Sequence, residues 1–186
     1  MKILICGTPG TGKTTLSLFL SSKGFHYINY NTFAFFSRSI LKYDKVRKSY
    51  VVNSNKIYRK LGPILKSLDK VVLDSHIIAG LPKKFDLIVV LRCDPEILRK
   101  RLMKKYGAKK MKENIEAEIL GILSHECKKK FRDVREVKTT NIIDAKKGLY
   151  SLIMNPRSKI YTRHIDWADV YEKKNALESL YYFINS

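Results

Sequence analysis

A three-layer α/β sandwich, with helices on both faces of a parallel sheet, is the fold this sequence predicts, and three observations predict it. Short apolar runs recur at Lys2-Ile3-Leu4-Ile5-Cys6, Lys70-Val71-Val72-Leu73-Asp74 and Asp86-Leu87-Ile88-Val89-Val90-Leu91. Runs of that length without polar alternation belong to strands covered on both faces, the condition inside a parallel sheet. Stretches of helical spacing separate them, as the crossovers of such a sheet require. The first run also ends directly on a glycine-rich turn, Gly7-Thr8-Pro9-Gly10-Thr11-Gly12, before helical spacing resumes through Leu16, Phe19 and Leu20.

In chain order, residues 2–6 predict the first strand and Lys13 to about Ser22 the first helix. His26 to Tyr30 predicts a short second strand. Asn31 to about Leu68 carries no strong strand signal and predicts helices around an irregular middle, Tyr43 to Asn53. The runs at 70–74 and 86–91 predict the next two strands. Asp94-Pro95-Glu96 opens a helix, with proline in the first turn, where its missing N–H costs nothing. The lysine-rich stretch Lys104 to Lys112 precedes one long helix, from about Glu113 to Phe131. Val134 to Val137 predicts the last strand and Asp144 to Met154 a further helix, and Pro156 marks a boundary. Asp166 is placed to cap a last helix whose apolar side reads Trp167, Val170, Tyr171, Leu177, Leu180, Tyr181 and Ile184. An aromatic stripe at helical spacing predicts docking on the body of the protein; a partner-binding helix is the alternative.

A length of 186 residues, 45% of them apolar, suits one domain with a proper core. No run of 18 apolar residues is present, so no membrane span is expected. The apolar start is too short for a signal peptide, and a cytoplasmic location is the expectation. Cys6, Cys93 and Cys127 cannot all pair and form no CxxC, which suits a reducing compartment and buried thiols. The charge is less ordinary: 37 Lys and Arg against 17 Asp and Glu, a formal net of +20. Such a surplus predicts attraction to phosphate polymers and makes RNA an expected partner through a basic surface, although lysines also solvate helix faces and phosphate sites.

Gly7-x4-Gly12-Lys13-Thr14 matches the Walker A pattern G-x-x-x-x-G-K-[ST] in full, between a buried strand and a helix. Glycines let backbone N–H groups turn inward around a β-phosphate, and the helix beginning near Lys13 points its positive end at the same anion. Lys13 can reach β- and γ-phosphates, the Thr14 hydroxyl can coordinate Mg²⁺, and Thr15 is placed for the α-phosphate. The pattern therefore predicts ATP and Mg²⁺ as ligands. Asp74, at the end of an apolar strand, is a candidate to hold Mg²⁺ directly or through a water, or else to cap the following segment.

Two residues on, His76 completes Asp74-Ser75-His76. With GTPGTGKTT, VVLRCDPEILRKRL and ENIEAEIL, this triplet makes the chain resemble the adenylate kinase isoenzyme six family, also called the coilin-interacting nuclear ATPase family, which has archaeal members. The resemblance covers roughly residues 1 to 145, and the D-x-H triplet is its most specific element, since ordinary adenylate kinases lack it. It implies a P-loop NMP-kinase-like fold, with a five-stranded parallel sheet and the P-loop strand in its middle. It also implies ATPase activity and a part in small ribosomal subunit maturation. The implied partner is a small-subunit ribosomal protein, number eleven in bacterial naming and fourteen in eukaryotic naming. By the same resemblance Gly10, Gly12, Lys13, Thr14 and Thr15 bind ATP, while Asp74 and His76 serve the metal and the attacking group; a structural role is the alternative for His76.

Two segments depart from the family's pattern. Its lid begins near an arginine, where this chain has Lys105, next to Lys104; lysine supplies charge without the planar fork. Its acceptor segment often shows an Asp-Leu-Ala-Arg-like stretch, where this chain has Thr32-Phe33-Ala34-Phe35, and Arg38 is a candidate substitute. Lys104, Lys105, Lys109, Lys110 and Lys112 gather around Gly107, as a lid that excludes water, as an RNA surface, or as a solvated turn. The expected layout is a kinase core over 1–155, with an NMP-binding segment at 31–56 and a lid at 103–113, followed by a helical extension over 156–186. The favoured function is ATP-dependent phosphorylation of a nucleoside monophosphate, AMP or dAMP, with ATP hydrolysis. An ATPase assembly factor for pre-ribosomal RNA and protein with vestigial kinase activity, and a non-catalytic RNA-binding module, are the alternatives.

Overall fold

The computed structural model describes residues 1–45, 49–156, 158, 164–174 and 176–185. Five strands form one parallel sheet: β1 (Lys2–Gly7), β2 (His26–Asn29), β5 (Val71–Ser75), β6 (Leu87–Arg92) and β7 (Val134–Lys138). Their order is β2-β5-β1-β6-β7, so the strand leading into the glycine-rich loop is central, as expected. Alternate residues of the apolar runs face opposite layers. Leu4, Cys6, Leu73 and Val90 meet α3 (Ser54–Ser67) and α6 (Ile122–Lys130) through Ile57, Leu61, Leu65 and Cys127. Ile3, Ile5, Val72 and Val89 meet α1 (Lys13–Ser21) and α7 (Ile142–Met154) through Leu16, Leu20, Ala145 and Leu149. All three cysteines are buried and unpaired.

Three expectations need correction. Helix α2 (Tyr30–Phe36) is followed by an antiparallel hairpin, β3 (Ile40–Asp44) and β4 (Ser49–Val52), where helices around an irregular middle were expected. Residues 46–48 of that stretch lie outside the described residues. Helix α4 (Pro95–Leu102) starts as expected, with the Asp94 carboxylate accepting from Glu96 N at 3.1 Å. The long helix is two: α5 (Ala108–Ile119) and α6 part at Gly121, whose φ of +61° no helix interior accommodates. The final stripe is also two helices, α8 (Trp167–Glu172) and α9 (Leu177–Asn185). Asp166 caps α8, with its carboxylate accepting from Ala168 N at 2.9 Å. Trp167, Tyr171 and Leu180 pack with Ile119 of α5, so this segment docks on the body of the protein; the Ile184 side chain lies outside the described residues.

Candidate active site

At the carboxyl end of β1 the chain turns through Gly10 and Gly12, with φ of +89° and +93°. A Cβ at Gly10 would stand 2.8 Å from Leu102 Cδ2 and 2.9 Å from Leu98 Cδ1, so α4 packs directly against the bare backbone. Thr11 Oγ1 donates to Thr8 O at 2.8 Å and tightens the turn. Gly12 caps α1 without any side-chain hydrogen bond. The N–H groups of the first helical turn, Lys13, Thr14 and Thr15, have no intrahelical acceptor. With the positive end of the helix behind them, they form a cradle suited to a phosphate. Lys13 Nζ donates to Gly7 O at 2.8 Å and Thr8 O at 3.1 Å, which lays the ammonium along the rim of the cradle. Burial lowers its pKa to about 8 against the raising effect of the Asp74 and Glu118 charges, and Lys105 lowers it further. Lys105, in the turn between α4 and α5, is thus brought into the field of Lys13.

Asp74 is 2% exposed and faces the start of α1. Its Oδ2 accepts from Tyr27 OH at 2.6 Å and from Thr14 Oγ1 at 3.4 Å, and its Oδ1 accepts from Asn29 Nδ2 at 2.7 Å. The parallel register pairs Asn29 with Asp74, so Tyr27 and Asn29 point from β2 to the same side as the carboxylate. One carboxylate and one hydroxyl, both hard oxygens at the edge of an anion cradle, fit Mg²⁺ that keeps several waters. Tyr27 and Asn29 escape sequence reasoning, although strand alternation and an Asn before a helix were visible signals. Burial first, then the bond to Asp74, raises the Tyr27 pKa and keeps it a donor.

His76 lies on the exposed surface just past β5. The protein around its ring, then the charges of Lys13 and Lys110, hold its pKa down to about 4, so it is neutral at pH 7 and can accept a proton. Lys13 and Lys110 thus lie within electrostatic reach of His76, while Asp74 faces Thr14 at the mouth of the loop. Thr15 is exposed on the first turn of α1. Arg38 is exposed in a left-handed turn, φ 52°, between α2 and β3. Phe35 and Phe36 beside it are 62% and 79% exposed.

Behind the loop lies a polar network with no counterpart in the sequence reading. Glu118 accepts from Thr8 Oγ1 at 2.7 Å, Arg92 Nε at 2.9 Å, Cys93 N at 3.0 Å and Trp167 Nε1 at 3.1 Å. Arg92 also donates to Glu136 Oε2 at 3.0 Å and to Ile165 O at 2.9 Å. Burial alone would raise the Glu136 pKa, but hydrogen bonds from Lys128, Ser124, His164 and Ile165 N outweigh it and hold the group at about 2. The buried charges are thus paired and bonded on several sides, as burial demands. Arg101 of α4 donates to Thr139 O at 2.9 Å and reaches Gly10 O at 3.4 Å, tying the loop to the segment after β7.

A central parallel strand, an uncapped helix behind a complete Walker A loop, and a buried acid facing its threonine define an enzyme of the P-loop nucleoside monophosphate kinase class. The family described as "AAA domain" matches residues 3–121. A protein of Sulfurisphaera tokodaii named "Putative adenylate kinase" is 33% identical over 188 residues, covering 100% of this chain and 96% of that one. Another of that name, from Methanocaldococcus jannaschii, is 38% identical over 143 residues, covering 76% of this chain and 78% of that one. The yeast "Adenylate kinase isoenzyme 6 homolog FAP7" of Saccharomyces cerevisiae is 36% identical over 129 residues, covering 67% and 65%. Among solved structures, deoxyadenosine kinase from M. mycoides superposes with a TM-score of 0.56 at 16% identity, over 85% of this chain and 100% of that one. Thymidylate kinase from Candida albicans superposes with a TM-score of 0.54 at 18% identity, over 84% and 92%; both likenesses concern the fold. The chain belongs to the adenylate kinase isoenzyme six family.

Proposed function

We propose that the chain transfers the γ-phosphoryl group of ATP to a nucleoside monophosphate, AMP or dAMP, and hydrolyses ATP alongside. The observation that carries this reading is the Thr14 hydroxyl facing buried Asp74 at 3.4 Å across the mouth of a loop that carries Lys13. In this reading Gly10, Gly12 and the first-turn N–H groups hold the β-phosphate, Thr15 takes the α-phosphate, and Lys13 swings from Gly7 O to bridge the β- and γ-phosphates. Thr14 and Asp74 would hold Mg²⁺, Asp74 directly or through water; when bound, the ion neutralises charge on the phosphates. An acceptor phosphate oxygen attacks the γ-phosphorus, the bridging β–γ bond breaks, and the electron pair leaves on ADP. In hydrolysis the attacking water gives its proton to neutral His76. Lys105, with its lysine neighbours, closes over the phosphates.

The proposed layout is a core over 1–155, in which residues 31–56 take the monophosphate and 103–113 act as the lid, with 156–186 as its extension. The biological setting proposed is cytoplasmic maturation of the small ribosomal subunit, with small-subunit ribosomal protein eleven and RNA as partners. The net charge of +20 supports the RNA part. A second reading, an ATPase assembly factor with vestigial kinase activity, is favoured by the acceptor segment, which exposes Phe35 where the family pattern has an arginine. Among the described residues no helix is long and apolar enough to cross a membrane. One assay separates the readings: ATP turnover alone, with each nucleoside monophosphate, and with small-subunit rRNA. Stimulation by AMP or dAMP with ADP as product supports the kinase; stimulation by rRNA alone supports the assembly factor. Lys13→Ala is expected to abolish turnover while circular dichroism stays native, and full turnover by the folded variant would sink both readings.

A further inference from the structure

A cavity of about 700 Å³ opens between α3 and the segment that follows β5, away from the phosphate loop. Six cations line it: Lys2, Arg59, Lys66, Lys83, Lys84 and Lys130, and no carboxylate is among its lining residues. Lys2 begins the central strand whose other end, Gly7, enters the loop, so five residue steps, about 16 Å, separate this end of the groove from the cradle. The Lys2 end of the groove therefore lies at the opposite end of the sheet from the cradle, while its other end reaches Ser54 and Asn55 at the start of α3.

The groove's charge is built in. Lys130 Nζ donates to Ile78 O at 2.8 Å, which pins the ammonium in the wall. Burial first, and then the neighbouring Lys83 charge, lower its pKa, as expected where like charges converge without a counter-ion. Such a site attracts a polyanion. Its walls narrow the choice further. A peptide bound in extended form needs an open strand edge. Here one wall is a helix and the other a loop, cations line both, and Leu65 and Leu81 add apolar surface between them. Gly62, Pro63 and Pro82 also line the groove, and so does Tyr58, with 55% of its surface exposed. An exposed aromatic ring beside a track of cations suits an unpaired base stacked next to its own backbone.

We propose that the groove between α3 and residues 80–84 binds single-stranded RNA, its phosphates running along Arg59, Lys66, Lys83 and Lys84 and a base stacked on Tyr58. This rests on the RNA part of the function proposed above and moves the contact from the lid lysines to this groove. A lid that must open and close on each turnover is poorly suited to a standing grip on a polymer. Arg59, Lys66, Lys83 and Lys84 lie outside the phosphate loop and the lid, so RNA held along them leaves the phosphate cradle free.

The test is fluorescence anisotropy of a labelled oligouridylate titrated with the full chain across a salt series. It is run on the native protein, on R59Q/K66Q/K83Q/K84Q, on Tyr58→Ala, and on the lid variant K104Q/K109Q/K112Q. The quadruple variant should flatten the log–log salt slope by up to about 2.8, from roughly 0.7 per lost phosphate contact on a single strand. Tyr58→Ala should weaken binding about fivefold or more at one salt concentration. Lys130 is left alone because it holds Ile78 O, and basal ATP turnover of the groove variants should be unchanged. If the lid variant flattens the slope and the groove variant does not, the groove is not the site, although the RNA reading stands. If polyglutamate competes as well as the oligonucleotide and Tyr58→Ala has no effect, an acidic protein segment is the occupant and the RNA assignment fails. If the native protein shows no measurable affinity for oligouridylate at about 100 mM salt, the RNA reading and this inference fall together.

Discussion

Lys13 and His76 depart from their ordinary pKa values in the same direction, Lys13 chiefly through burial and His76 through desolvation of its ring and the charges of Lys13 and Lys110, and their shifts set a pH window. The lysine is held near 8 and the histidine near 4 in the free protein. Below about 4 the imidazole is protonated and cannot accept a proton; above about 8 the ammonium needed by a triphosphate is lost. The value of kcat/KM for ATP, which reports the free enzyme, should be bell-shaped between those limits, with no limb at the ordinary histidine value of about 6.5. A limb near 6.5 that vanishes in His76→Gln would show that Lys13 and Lys110 do not act on the ring. His76→Gly separates chemistry from binding. Hydrolysis should fall by about 10²-fold or more, while the Kd for ATP, read by calorimetry, changes less than about threefold. Equal losses in both would make His76 a structural residue.

Among the elements, the junction of α5 and α6 is where the sequence pattern misleads. Helical spacing runs on from Glu113 to Phe131, but Gly121 sits in the left-handed region and turns the chain. A Cβ there would lie 3.2 Å from His164 Cε1 and 3.4 Å from Arg92 Nη1. The break lets α5 present Glu118 to the phosphate loop while α6 presents Ser124 and Lys128 to Glu136. Gly121→Ala should therefore destabilise, through both the positive φ and the crowding of Arg92, by about 1–2 kcal/mol. For a chain of this length that is a fall in Tm of roughly 2–8 °C, measurable by calorimetry. An unchanged Tm would mean the junction relaxes freely. The β3–β4 hairpin is legible only after the fact: Tyr43 and Tyr50 meet edge-on across it at 5.1 Å, a cross-strand pair on a hairpin that reaches the core through half-buried Val52.

For the whole molecule, residues 164–172 are wired into the centre. Trp167, fully buried, donates to Glu118, which also holds Thr8 of the phosphate loop. Tyr171 OH donates to Asp94 Oδ1 at 2.9 Å, on the carboxylate that caps α4. Removing these donors would leave Glu118 and Asp94 short of a partner while the Arg92–Glu118 pair stays intact, and each buried acceptor so deprived costs about 1–3 kcal/mol. The extension and core should consequently unfold as one unit. Trp167 is the chain's only tryptophan, so its fluorescence reports the extension while far-UV circular dichroism reports the helices. In urea the two transitions should coincide. A fluorescence midpoint at clearly lower urea would show that the extension detaches first. Trp167→Phe, which keeps an aromatic ring in place but removes the N–H and the fluorophore, should lower stability read from the circular-dichroism transition by about 1–2 kcal/mol.

Read residue by residue, the chain already specifies its central architecture and the residues proposed to meet nucleotide. A strand buried on both sides declares itself in five or six consecutive apolar residues, and the loop's glycines, Lys13 and Thr14 lie within one short stretch of chain. Asp74 and His76 were legible because they end a strand whose position follows from the same pattern. These features rest on contacts between near neighbours or on periodicity, which a linear reading can see. What holds the loop is settled only by packing in three dimensions. Thr8, Arg92, Glu118, Glu136 and Trp167 come from five separated segments; the first four look like ordinary surface residues until their partners arrive, and Trp167 reads only as a packing residue. Their burial is tolerable only because every charge finds a counter-charge far away in sequence, and that is a property of packing. The same reasoning covers Tyr27 and Asn29, whose role depends on the register of β2 against β5, and Gly121, whose left-handed turn is set by Arg92 and His164 pressing on it.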